Sequence, residues 1–109
     1  MSSTDDGWHA VTGADEVDED DVVCVTACGR RLAVFHLEDG GYHVTDDRCT
    51  HAEASLADGY LDGDTIECPR HQGVFHVPTG KPMSPPVVDP LQVYPTKVED
   101  GRVWVQLPG

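Results

Sequence analysis

Short segments in which apolar and polar residues alternate make up most of the chain, and turn residues separate them. No stretch keeps the apolar period of an amphipathic helix for three turns. Glycine accepts the positive φ that tight hairpin turns need, so Glu38–Gly41, Asp62–Asp64 and Glu99–Gly101 are predicted to join strands. Asp15–Asp20 is predicted to form one helical turn. The predicted strands are Trp8–Val11, Val22–Ala27, Arg31–Leu37, Tyr42–Thr45, Tyr60–Leu61, Thr65–Glu67, Val74–His76, Gln92–Lys97 and Arg102–Leu107. The pattern therefore predicts an all-β fold.

Length and charge restrict the class of protein further. The 109 residues suit a single domain, 1–109, and the net charge is -13, with 20 acidic against 7 basic residues. Nucleic acids and anionic membranes bind basic patches, so neither is expected as a partner. The chain starts with polar and acidic residues and has no apolar run of about 20 residues that could cross a bilayer. We expect a soluble cytoplasmic protein.

The four cysteines fall into two groups. Cys24 and Cys28 lie four residues apart in a β-rich run, which places their Cα atoms roughly 13 Å apart in an extended strand. A disulfide spans only about 4.4–6.8 Å between Cα atoms. We therefore expect these two to be buried or half-buried free thiols, which leaves Cys49 and Cys68 for another role.

Two short motifs carry the chemistry of the chain, Cys49-Thr50-His51 and Cys68-Pro69-Arg70-His71. Two thiolates and two imidazoles on two loops make a four-ligand metal site. Zinc sites usually take two cysteines from one loop and two histidines from the other. Here each loop supplies one of each, which suits a two-iron cluster with thiolates on one iron and imidazoles on the other.

The pattern C-x-H-x16-C-x2-H resembles that of the Rieske iron–sulfur family. The resemblance implies a Rieske fold, in which an antiparallel β-sandwich or barrel-like base domain holds an inserted cluster-binding subdomain, here about 46–76, with two loops at its tip. It implies one 2Fe-2S cluster per chain, with Cys49 and Cys68 on one iron. His51 and His71 would bind the other iron through Nδ1. The proline-rich stretch Pro82–Pro86 is predicted to be a stiff extended loop that packs over the cluster.

This chain differs from two other classes of Rieske protein, and these differences restrict the functions that we expect of it. High-potential Rieske proteins carry a disulfide between the two loops, and the corresponding stretches here hold no further cysteine. A terminal oxygenase also needs a mononuclear iron site of two histidines and a carboxylate. The remaining histidines are scattered over different predicted strands, so an enzyme is not expected. They are His9, His36, His43 and His76.

The chain resembles the ferredoxin component of an aromatic-ring-hydroxylating dioxygenase system in aromatic hydrocarbon catabolism. That resemblance implies a protein that takes single electrons from a flavin-dependent ferredoxin reductase, and we expect a monomer. It would pass them to the terminal dioxygenase through transient docking at the cluster tip. Three alternatives stay open: the small Rieske-like subunit of an assimilatory nitrite reductase, a structural zinc-binding module, and a redox sensor or adaptor.

Overall fold

Strands paired only in antiparallel fashion build the part of the chain that the computed structural model describes, residues 7–48, 54–70, 73–84 and 90–107. Two short 3-10 turns, Ala14–Glu16 and Leu56–Asp58, interrupt them. The strands are β1 Trp8–Gly13, β2 Asp21–Ala27, β3 Arg30–His36, β4 Tyr42–Asp46, β5 Tyr60–Asp62, β6 Thr65–Glu67, β7 Val74–His76, β8 Pro82–Ser84, β9 Val93–Tyr94, β10 Thr96–Glu99 and β11 Arg102–Gln106. The prediction of an all-β fold is confirmed. No helix within these ranges is long and apolar enough to span a membrane.

The three glycine-containing turns lie where the sequence predicts them, after β3, β5 and β10. The turn between β10 and β11 shows the reason most clearly. Asp100 and Gly101 both have positive φ, 55° and 74°. Two consecutive left-handed residues match the twist of the strands that they join. The predicted helical turn Asp15–Asp20 is wrong in position, because the 3-10 turn occupies Ala14–Glu16 instead.

Two of the three sheets form a sandwich. Their strand orders are β1-β11-β10 and β2-β3-β4-β9. Alternate residues of a strand point to opposite faces of a sheet, so each sheet can present one apolar face to the other. The buried side chains between them come from both sheets and from the segments that connect them. They are Val17, Leu32, Val34, Val44, Tyr94, Val103, Val105 and Leu107.

The third sheet, β5-β6-β7-β8, packs on a second core that also includes one face of β3. Within β3, Leu32 and Val34 point into the sandwich, and Ala33 and Phe35 point into the second core. All four are fully buried. A strand covered on both faces appears in sequence as a continuous apolar run, which these four residues form. The 46–76 bounds of the subdomain stay a prediction.

The predicted strand Gln92–Lys97 is wrong as a single element. The structure has β9, Val93–Tyr94, paired with β4, and then β10, Thr96–Glu99, paired with β11. Pro95 lies between them and has no N–H to donate to a neighbouring strand. Its carbonyl accepts a bond from the Gln106 N–H at 2.9 Å. The chain therefore leaves one sheet of the sandwich and enters the other at this proline.

The proline-rich stretch also differs from its prediction as a loop. Its first three residues form β8, Pro82–Ser84, at the edge of the third sheet and paired only with β7. The pairing shifts register between Val74 and Phe75. Proline is tolerated at a sheet edge because its missing N–H can face away from the neighbouring strand. Pro85 and Pro86 lie outside the described residues, and so does the predicted packing over the cluster.

Cys24 and Cys28 are free thiols, as predicted, but the expectation that they are buried or half-buried is wrong because both are exposed. β2 is an edge strand of its sheet. Cys24 lies on the outer face of that strand. Cys28 follows in the hairpin turn with φ of 52°. The apolar run around them could not distinguish the covered face of the strand from the open one.

Gly59 allows the segment after the second 3-10 turn to lie against β6. A Cβ atom built on Gly59 would collide with the backbone carbonyl oxygen of Glu67. Its φ of -84° is one that any residue can adopt, so space alone requires glycine here. Glu67 is the last residue of β6, and Cys68 follows it. The close approach therefore sets the distance between two segments that lead to the predicted ligand loops.

Substituting Gly59→Ala should lower the thermal unfolding midpoint by roughly 10 °C, since the clash is with backbone that cannot rotate away. This corresponds to about 2 kcal/mol of overpacking in a domain of this size. Gly13→Ala is the matched control, because Gly13 also has negative φ and its Cβ would meet only side-chain atoms of Asp15 and Glu16, the nearest at 3.0 Å. Circular dichroism melts measure both. Equal midpoints for the two variants would contradict the steric role of Gly59.

Candidate metal centre

The structure describes one of the four predicted ligands, Cys68. Cys49, His51 and His71 lie outside the described residues. What the structure does show is the framework from which both ligand loops start and to which they return. That framework decides whether the loops can hold ligands at fixed positions.

Cys68 directly follows β6 and is fully buried. Its side chain belongs to the second core, together with Ile66 and Phe75. The Cys68 N–H donates to the Gly73 carbonyl oxygen at 2.8 Å, which closes the base of the second loop. The thiol is therefore held by a strand and a closed turn, shielded from solvent.

The first loop is closed at its base in a similar way. Arg48 and Ser55 form an isolated antiparallel bridge, so the segment between them begins and ends at one place. The Leu56 N–H donates to the Asp47 carbonyl oxygen at 2.7 Å. Leu56 is fully buried in the same core as Cys68. One apolar core thus anchors the bases of both loops.

The carboxylate of Asp47 reinforces the base of the first loop. It is 1% exposed and accepts three hydrogen bonds. The donors are the Ala57 N–H at 3.0 Å, the Ser55 hydroxyl at 2.6 Å and the Arg31 guanidinium at 3.1 Å. Bonds to a charged acceptor are stronger than neutral ones. The sequence interpretation missed Asp47, whose only signal is an acidic residue just before a ligand motif.

Two arginines and a tyrosine lie on the same side of the framework. Contact with the Cys24 thiol, and secondly the charge of Asp47, raise the pKa of Arg31 above its usual range. Arg30 donates to the Tyr94 hydroxyl at 3.2 Å, and that hydroxyl donates to Asp46 at 2.6 Å. Burial first, and then the bond to Asp46, raise the pKa of Tyr94. With both pKa values raised, Arg31 stays protonated and the Tyr94 hydroxyl keeps its proton at neutral pH.

The other histidines lie on strands, as the sequence predicts. His36 contacts the Val17 carbonyl oxygen at 2.9 Å, and His76 lies between Thr79 and Asp64. Burial lowers the pKa of His43. Across the described ranges, no three histidine, cysteine or acidic side chains group closely enough to hold a metal ion.

Known proteins resemble this chain over most of its length. The Rieske [2Fe-2S] domain family matches residues 7–95. The ferredoxin component of a naphthalene 1,2-dioxygenase system from Pseudomonas putida is 43% identical over 100 residues, 92% of this chain and 95% of the relative. The biphenyl dioxygenase ferredoxin subunit of Pseudomonas sp. strain KKS102 is 46% identical over 92 residues, 84% of each chain.

Solved structures agree with the sequence relatives. A chain in a complex of reduced oxygenase and oxidized ferredoxin in carbazole 1,9a-dioxygenase has a TM-score of 0.86 at 41% identity, covering 94% of both chains. A ferredoxin of Sphingomonas yanoikuyae B1 has a TM-score of 0.87 at 39% identity, covering 92% of this chain and 98% of that one. The predicted Rieske fold is confirmed.

The described framework fits the cofactor of this family. A thiolate is the ligand that iron–sulfur clusters require, and Cys68 offers one from a dry, apolar surrounding at the end of a strand. The ligand motifs belong to two loops that are closed at their bases, and the second loop begins at that thiol. The chain belongs to the Rieske [2Fe-2S] family, which the sequence motif indicates, and as a member it carries one 2Fe-2S cluster.

Proposed function

We propose that this protein is a one-electron carrier, the ferredoxin component of an aromatic-ring-hydroxylating dioxygenase system. The observation that carries the proposal is the match of 43% identity over 92% of this chain to a dioxygenase ferredoxin of nearly the same extent. The relatives are named as ferredoxin components of dioxygenase systems, so the proposed role is that of an electron carrier and not of an enzyme.

Four residues are proposed to hold the cluster: Cys49 and Cys68 on one iron, and His51 and His71 on the other. The burial of Cys68 and the closed base of each loop support this assignment. When bound, the cluster accepts and gives up one electron at a time without making or breaking a bond to another molecule. The protein's own residues keep the ligands rigid and exclude water from the thiolate side.

The proposed partners are a flavin-dependent ferredoxin reductase as electron donor and a terminal dioxygenase as acceptor. A ferredoxin 41% identical to this chain has been solved in complex with the oxygenase of carbazole 1,9a-dioxygenase, which supports the second partner. The reductase and the direction of transfer follow from the family resemblance. A monomeric, cytoplasmic protein that docks through the loop tips remains the prediction.

The similar proteins also help to decide between the proposed function and its alternatives, which are a nitrite reductase subunit, a zinc-binding module and a redox sensor or adaptor. Membership of the Rieske family disfavours a structural zinc module, because that family holds an iron–sulfur cluster. The curated relatives described above are dioxygenase components, which favours that role over the nitrite reductase subunit. Neither a redox sensor nor an adaptor has a specific observation in its favour.

The ligand assignment predicts that Cys68→Ser abolishes cluster binding, because a hydroxyl replaces a required thiolate in a dry site. Cys24→Ser is the matched control, since Cys24 is a free, exposed thiol. The measurement is iron and acid-labile sulfide per chain after anaerobic purification. We expect two of each in the wild type and the control, and none in Cys68→Ser. A fully loaded Cys68→Ser protein would refute the assignment.

The hydrogen bonds to Asp47 predict that Asp47→Ala destabilises the loaded protein by about 3 kcal/mol, since two donors inside the loop base lose their charged acceptor. The readout is the guanidinium concentration at which the visible absorbance of the cluster disappears. Asp18→Ala is the control, because Asp18 is an exposed residue of the acidic segment between β1 and β2. An unchanged bleaching midpoint for Asp47→Ala would remove Asp47 from the support of the loop.

Electron transfer itself tests the proposed function. The reduced chain, mixed anaerobically with oxidised carbazole or naphthalene dioxygenase oxygenase, should be reoxidised at a rate proportional to the oxygenase concentration. Stopped-flow absorbance follows the cluster, and the Cys68→Ser chain is the control without a redox centre. A wild-type chain that reduces neither oxygenase, at low or at physiological salt, would overturn the proposal.

A further inference from the structure

A cavity of about 390 Å³ lies at the base of the first ligand loop. Its lining includes Arg30 and Arg31 at the start of β3, and Arg48 and Ser55, which pair across the base of the loop. Arg48 is followed directly by the proposed ligand Cys49. The cavity is therefore part of the same end of the molecule as the proposed cluster loop.

The charge of the cavity is opposite to that of the protein as a whole. The chain carries only 7 lysine and arginine residues against 20 acidic ones. Three of those 7 cations, Arg30, Arg31 and Arg48, line this one cavity, and all three are exposed. In a protein of net charge -13, such a concentration of arginine makes a local site for an anion.

The two acidic residues of the lining do not cancel that site. Asp47 is buried and accepts three bonds from its own surroundings. Asp46 accepts the Tyr94 hydroxyl at 2.6 Å. Both carboxylates are thus engaged with protein donors, and among the described lining residues there are three arginines against these two carboxylates.

Two of the guanidinium groups are held in position before any ligand arrives. Arg30 is anchored through Nη1 on the Tyr94 hydroxyl at 3.2 Å, and Arg31 through Nη2 on Asp47 at 3.1 Å. Arg31 Nη2 also contacts the Cys24 thiol at 3.8 Å. A guanidinium has five N–H donors in a planar fork, so these anchoring contacts leave donors for a further acceptor. Side chains that are already ordered lose little entropy when they bind.

We infer that this cavity receives a carboxylate side chain of the oxygenase that accepts the electron. Planar forks of arginine match a carboxylate with two parallel bonds. The net charge of -13 repels free small anions, whereas a carboxylate on a docked protein arrives at high effective concentration. The inference rests on the proposed function and adds one orienting contact beside the cluster loop.

Two electrostatic effects on the rate of electron transfer respond in opposite directions when an arginine of the cavity is replaced by an acidic residue. Long-range attraction between the acidic chain and a basic partner surface grows when the chain becomes more negative. A local contact between arginine and a partner carboxylate weakens under the same change. A charge reversal in the cavity should therefore slow transfer, while an equal reversal elsewhere should leave it unchanged or accelerate it.

The test compares Arg30→Glu with Arg102→Glu, an exposed arginine at the start of β11 in another sheet. Both change the net charge equally. The probe is the oxygenase of carbazole 1,9a-dioxygenase, and the readout is the second-order rate constant of electron transfer at low salt. We expect about a tenfold fall for Arg30→Glu and no fall for Arg102→Glu.

Further variants exclude a structural cause. Tyr94→Phe removes the anchor but keeps the arginine, and because an unanchored side chain loses more entropy on binding, it should show a smaller fall than Arg30→Glu. Arg30→Gln, which carries no reversed charge, should show a smaller fall at wild-type cluster content and thermal midpoint. Equal rate constants for Arg30→Glu and Arg102→Glu, or for Arg30→Gln and the wild type, would overturn the cavity assignment alone. A wild-type chain that transfers no electrons would instead overturn the proposed function.

Discussion

Strand β3 is the element on which the rest of the structure depends, because it is buried on both faces. Its even-numbered residues Leu32 and Val34 pack into the sandwich, and Ala33 and Phe35 pack under the third sheet. Two cores that share a strand are rigidly connected, since interiors are close-packed and transmit displacement. The sheet that carries Cys68 is thereby fixed to the base of the molecule.

Apolar and polar residues have different roles in how this acidic chain of 109 residues holds a metal centre. The thiol of Cys68 lies in an apolar core, where strands determine its position. The polar groups that close the loops, above all Asp47, lie at the edge of that core and are satisfied by hydrogen bonds. Basic side chains lie around the same edge, so the surface beside the proposed cluster is less negatively charged than the rest of the protein.

The predictions from sequence that proved wrong failed because the outcome depended on the tertiary structure. Pro95 lies inside a stretch with strand propensity, and only the positions of two sheets show that the chain changes sheet there. Pro82–Ser84 forms a strand because it lies at the edge of its sheet, where the missing proline N–H is not needed for pairing with a second strand. Cys24 is exposed because it lies on the open face of β2, which an alternating pattern alone does not reveal.

The sequence by itself determined the family and most of the strands, and it predicts the residue types of the metal site, because ligand chemistry and turn residues are local properties. It also predicts the strand Arg31–Leu37, which contains β3 almost entirely. Only the tertiary structure decided that one strand serves two cores, that Asp47 supports a loop and that three arginines meet at one cavity. Those features join residues distant in sequence, and their positions follow from strand order and packing rather than from any local pattern.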